Sequence, residues 1–122
     1  MTITATAAAT VDVEQSAAKN TDFTVNFYSA SGAGGEIIKA DPGAGYHLAI
    51  TMIAFNCAAD DTVSFREDST VILGPFTFKA AGGNSMAIIF PKPILLTANK
   101  ELQVITGTTS AVAGVVQGYV TV

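Results

Sequence analysis

Phe23-Thr24-Val25-Asn26-Phe27 alternates apolar and polar side chains without a slip. Successive side chains of an extended chain point to opposite faces, so this run predicts a strand with one wet face and one buried face. The same pattern recurs on both sides of it. Toward the N-terminus, Met1, Ile3, Ala5, Ala7, Ala9, Val11 and Val13 occupy the odd positions, with Thr2, Thr4, Thr6, Ala8, Thr10 and Asp12 between them. Period two predicts an extended segment there, with an apolar face made mostly of methyl groups. Such a segment pairs through its backbone and anchors weakly through its side chains. It reads equally as an edge strand of the domain or as an arm that pairs with a neighbouring subunit. Residues 14 to 20 are polar and Ala-rich, a linker or a single helical turn.

Toward the C-terminus the chain continues in short strand-like runs separated by turn residues. Ser29-Ala30-Ser31-Gly32-Ala33-Gly34-Gly35 reads as a flexible loop. A short strand over residues 36 to 39 is closed by Asp41-Pro42-Gly43. From Tyr46 to Asn56 both faces are apolar toward the end, as expected of a central strand buried on two sides. Val63 and Phe65 point inward between the turns Asp60-Asp61 and Glu67-Asp68. The run from Thr70 to Lys79 is interrupted at Gly74-Pro75, which predicts a bulge, a bend or an edge, because proline has no N–H for a ladder. Met86, Ile88 and Phe90 give a strand that Pro91-Lys92-Pro93 should stop. Ile94 to Thr97, Glu101 to Thr106 and Val112 to Val122 complete the set, with Thr97-Ala98-Asn99-Lys100 as a hairpin turn. Helical periodicity is weak. The sequence therefore predicts an all-β fold, an antiparallel β-sandwich of jelly-roll type, over residues 21 to 122, preceded by a strand or arm and linker over residues 1 to 20.

Composition narrows the function. The 122 residues are 49% hydrophobic and only 13% charged, about half the usual charged share. A surface of neutral Thr, Ser, Ala and Gly suits packing against protein. Net charge is −4 and the six basic residues are scattered, which argues against nucleic acid and against an anionic membrane surface as partners. The apolar runs are too short to span a bilayer. The first residues lack the basic start and apolar block of a secretory signal. The single Cys57 cannot form an internal disulfide, which fits synthesis in a reducing cytoplasm.

Catalytic chemistry has few candidates. His47 is the sole imidazole, no serine lies in a Gly-x-Ser-x-Gly turn, and Cys57 has no basic neighbour in sequence to lower its pKa. One histidine excludes metal sites built on several. Asp60-Asp61 and Glu67-Asp68 are the clustered carboxylates, but a strand between them holds the pairs about 20 Å apart, too far to share one ion. No enzyme, no metal and no cofactor is expected.

From Gly45 to about Thr106 the pattern resembles that of small jelly-roll head decoration, or cement, proteins of tailed bacteriophages. The resemblance rests on Gly45-Tyr46-His47-Leu48, Thr62-Val63-Ser64-Phe65, Ile72-Leu73-Gly74-Pro75-Phe76, the Gly82-Gly83 turn, Phe90-Pro91, and Pro93-Ile94-Leu95-Leu96-Thr97-Ala98-Asn99-Lys100-Glu101-Leu102-Gln103-Val104. It covers about half of the chain and consists of turns and strands, with no reacting site to carry over. It implies a structural virion protein on the capsid surface, often a homotrimer, whose partners are itself and the major capsid protein. Ile3, Ala5, Ala7, Ala9 and Val11 are then the candidate intersubunit contacts. The competing reading is a glycan-binding or structural module of a phage tail or fibre, which would need exposed aromatics lining a groove.

Overall fold

A computed structural model describes residues 21–79 and 85–122. They form eight strands: β1 (Thr21–Ser29), β2 (Glu36–Lys39), β3 (His47–Cys57), β4 (Asp61–Glu67), β5 (Thr70–Phe78), β6 (Ser85–Leu95), β7 (Leu102–Thr106) and β8 (Val112–Thr121). The first sheet has the order β1-β8-β3-β6 and the second β2-β7-β4-β5. Every pairing is antiparallel, and the first strand pairs with the last, the second with the second-last, and so inward to β4 with β5. A doubled-up chain rolled into two layers gives this order, which is the jelly roll. The all-β, jelly-roll expectation holds. The expected arm, with Ile3, Ala5, Ala7, Ala9 and Val11, lies outside the described residues, as does the Gly82-Gly83 turn.

The core lies between the layers. Phe27, Leu48, Ile50, Ile53, Phe55, Val112 and Val116 from the first sheet meet Ile38, Val63, Phe65, Phe78, Leu102 and Val104 from the second. Phe55 is the centre of the contact: its ring lies 4.9 Å from Phe65, 5.7 Å from Phe76 and 5.4 Å from Phe78. The Phe65 and Phe78 contacts are edge-to-face, which adds about 1 kcal/mol per pair beyond the burial itself. Cys57 is fully buried in this core, and its role there is that of a small apolar side chain.

Two glycines let β8 lie close against its neighbours in the first sheet. Gly114 and Gly118 of β8 sit directly opposite Phe27 and Phe23 of β1. A Cβ at Gly114 would collide with the Ala54 carbonyl oxygen and stand 2.8 Å from the Phe27 ring. One at Gly118 would meet the Ala49 carbonyl and stand 2.9 Å from the Phe23 ring. The rings thus lie over the space that the missing side chains leave, covering the glycines from the neighbouring strand.

Four sequence expectations need correction. First, β3 is not apolar on both faces because both are buried alike. Its register against β6 and β8 shifts between Ile50 and Met52, so the inward set changes from Leu48 and Ile50 to Ile53, Phe55 and Cys57. A bulge swaps the faces of a strand, and a two-faced apolar pattern is its mark in sequence. Second, Pro91-Lys92-Pro93 does not end a strand. β6 runs on to Leu95, with Phe90 to Pro93 bulging opposite that same point of β3. This is allowed because β6 is an edge, where a missing N–H leaves no ladder bond unmade. Third, Thr97-Ala98-Asn99-Lys100 is a turn but not a hairpin, since β6 and β7 belong to different sheets. Fourth, the glycine-rich loop contains a 3₁₀ turn at Gly32–Gly34, tied by the Gly32 N–H to the Ser110 carbonyl at 3.2 Å. Gly74-Pro75 behaves as expected: it lies in β5, an edge strand, where the register against β4 shifts between Val63 and Phe65.

Candidate functional site

The register places the outward side chains of the first sheet in rows. Tyr28, Ala113, Asn56 and Ser85 form one row, and Asn26, Val115, Ala54 and Ala87 the next. Then come Thr24, Gln117, Met52 and Ile89, and finally Asp22, Tyr119, Ala49 and Leu95. Asp22 is the one charge in these rows, and Lys92 in the β6 bulge is the only other charged residue on the four strands. Ala54, Asn56, Ser85, Ala87 and Ala113 line a shallow depression of about 450 Å³. Tyr28 is 65% exposed at one side and Ile89 77% exposed at the other. Small side chains line the depression, and Tyr28 and Ile89 stand on the edge strands beside it, so the surface there is neutral.

Outward groups of the second sheet are held by their neighbours. Arg66 Nε donates to Gln103 Oε1 at 2.6 Å, and Gln103 in turn donates to Glu101. Glu67 accepts from the Thr97 N–H at 3.1 Å, and Asp68 accepts from the Glu101 N–H at 3.1 Å and pairs with Lys100 at 3.1 Å. The Glu101 N–H, and after it Lys100, hold the Asp68 carboxyl below its ordinary range.

Asp61, at the start of β4, closes the loop between β7 and β8. Its carboxylate accepts from the Thr62 N–H at 2.7 Å, the Thr108 N–H at 2.9 Å, the Thr108 hydroxyl at 2.7 Å and the Ser110 N–H at 3.4 Å. Partial burial alone would raise its pKa. The hydrogen bonds from Thr108, Thr62 and Ser110 outweigh that and lower it from 3.8 to about 2. The aspartate is thus a structural clasp. Its donors are backbone and hydroxyl groups of β4 and of the loop between β7 and β8, which no single-sequence motif announces.

The remaining candidates are apart from one another. His47 Nδ1 donates to the Leu96 carbonyl at 2.7 Å, a bond that fastens the start of β3 to the chain after β6. Asp61 and Glu67 stand at opposite ends of β4, as the spacing predicted. Among the described residues no three His, Cys, Asp or Glu side chains gather where they could hold a metal ion. Among the same residues no helix is long and apolar enough to cross a membrane. All seven phenylalanines are buried in the core or packed against it. Tyr28 and Tyr119 occupy opposite end rows of the outer face, so they line no common groove.

Fold and surface together define a class: among the described residues, an eight-stranded jelly roll with one neutral sheet face. No protein-family model and no curated protein matches the chain. Among solved structures it is similar to the cryo-EM structure of the giant freshwater prawn Macrobrachium rosenbergii extra small virus (XSV) VLP. The identity is 15%, over 82% of this chain and 79% of that one, with a TM-score of 0.43. At that score the assignment of the fold rests on strand order and register.

Proposed function

We propose that this chain is a structural virion protein that decorates and cements a phage head. The observation that carries the reading is the outer face of the first sheet. A protein of net charge −4 repels its own copies and any acidic partner through most of its surface, and this face is where that repulsion is weakest. Neutral, small-residue surfaces bury against protein without desolvating charges. In the proposed role each copy contacts its sisters and the major capsid protein through this face, in a homotrimer. Many modest contacts then sum by multivalency over the shell. The sequence resemblance to cement proteins supports the same reading. A glycan-binding tail or fibre module is the weaker alternative, because the aromatic residues are inside or far apart.

The test is direct. Purified particles are separated into heads and tails and analysed by mass spectrometry. The expected result is this chain in the head fraction at a copy number comparable to that of the capsid subunit. Absence from particles, or confinement to tails, overturns the proposal.

A further inference from the structure

Among the described residues the first sheet has two open edges, and they are unlike: β1 carries the charge of Asp22 and follows directly on residues 1 to 20. β6 forms the other and no strand lies beyond it among the described residues. Over Ser85-Met86-Ala87-Ile88-Ile89-Phe90 it has no charge, no proline and no glycine, and Ile89 is 77% exposed. An exposed, neutral edge of this kind is a template for another strand. Its length is limited: the bulge at Phe90 to Pro93 ends the regular ladder, leaving six residues, about 20 Å. Both edges of the second sheet are poorer templates. β5 is broken by its register shifts at Gly74-Pro75. β2 has four residues and an irregular register after Ile37.

We propose that the β6 edge receives a stretch of about six residues from within residues 1 to 13 of a neighbouring copy as an added antiparallel strand. This rests on the reading of the chain as an assembling structural protein, and it names where the assembly closes. Three observations support that occupant. The segment is uncharged as far as Val11 and alternates with period two, so its backbone suits a ladder and its side chains oppose no charge on β6. It precedes β1, which lies at the far edge of the same sheet, three strand spacings or about 14 Å from β6. Donor and acceptor therefore occupy opposite sides of one sheet. A contact of that kind is head-to-tail, and it produces a closed ring when the rotation closes. The third is area. A six-residue edge meeting another edge buries well below the roughly 1,000 Å² that a stable contact needs. A laid-in strand covers both the ladder groups and Ile89, and each copy gives one strand and receives one.

The experiment scans cysteines through residues 3 to 9, one at a time, against Ala87→Cys on β6. Cys57 is buried and stays in place. Disulfides form where the Cα atoms come within about 7 Å. Each arm variant is mixed with Ala87→Cys protein, after circular dichroism shows both folded, and oxidised. The expected product is a two-chain covalent band at alternate arm positions only. Double variants carrying both cysteines should yield closed covalent rings whose size equals the native mass in solution. No two-chain band at any position overturns the proposal. So does cross-linking of double variants solely within one chain, which would mean that the segment folds back on its own domain. Heads that carry the chain despite either result would leave the cement role standing, whereas trans cross-links in a chain absent from particles would do the reverse.

Discussion

β3 and β4 are the counterpart central strands of the two sheets, and their surroundings differ. β4 begins with Asp61 and ends with Glu67, and both carboxylates hold backbone N–H groups of neighbouring loops. β3 begins with His47 and ends with Cys57, carries no carboxylate, lysine or arginine, and faces outward with Met52, Ala54 and Asn56. The second sheet finishes its surface with polar groups that satisfy one another inside the molecule. The first sheet leaves its outer surface neutral. Ordered polar networks fix loops and resist burial by a partner, while neutral faces do the opposite. The difference places the stabilising ties on the second sheet and, under the proposed role, leaves docking to the first.

The largest expected effect tests the part that the sheets share. Phe55→Ala removes the ring that meets Phe65, Phe76 and Phe78, and should lower unfolding free energy by about 4 kcal/mol in urea titration. A loss near 1 kcal/mol would mean that the layers do not depend on this contact. Next, Gly114→Ala sets a methyl against the backbone carbonyl of Ala54 and the Phe27 ring. The expected loss is about 2 kcal/mol, in the range of overpacked cores. A neutral outcome would show that β8 stands farther from β3 than the close approach described.

On the second sheet the ties are smaller. Asp61→Ala should destabilise by about 1 kcal/mol, after allowance for the solvent around the carboxylate. The pH dependence gives a sharper test. The folded pKa is about 2 against an ordinary 3.8, so the unfolded chain binds the proton more readily. The contribution is complete above pH 3.8 and is lost as pH falls through 2. Wild type and Asp61→Asn should therefore differ in stability at pH 6 and converge near pH 2. A difference that persists unchanged at pH 2 would assign it to something other than the ionised carboxylate.

Alternation made most strands of this fold legible. Phe23, Val25 and Phe27 point inward as read, and Val63 with Phe65 do the same. What alternation could not show is where parity changes. The extra residue in β3 near Thr51 reversed the faces of all that follows, and the apolar residues on both faces concealed it. Pro91 and Pro93 read as a stop because the rule against proline in a ladder depends on whether a strand is central or at an edge. That is a property of pairing across about forty residues of intervening chain, absent from any local window. The neutral outer face was foreshadowed only by the low total charge. Its position required the register, since Asn26, Val115, Ala54 and Ala87 are scattered through the sequence and adjoin only in the folded sheet.

The smallest effect on stability bears most directly on the difference between the faces. Asn56 is exposed on the central strand β3, in an end row of the first sheet's outer surface, and Thr77 is exposed on the outer face of the second. Lysine at either site touches no core residue, so both variants should unfold within about 0.5 kcal/mol of wild type. Asn56→Lys nevertheless puts a cation, with its hydration shell, into the depression on the neutral face. It lies on a central strand, so the backbone ladder groups of the β6 edge stay free. If the face docks, Asn56→Lys should weaken self-association or head binding at least tenfold in sedimentation while Thr77→Lys leaves both unchanged. Equal loss in the two variants would make the effect one of net charge alone. No loss from Asn56→Lys, with trans cross-links at β6 intact, would reduce the assembling surface to the strand edge and take the sheet face out of it.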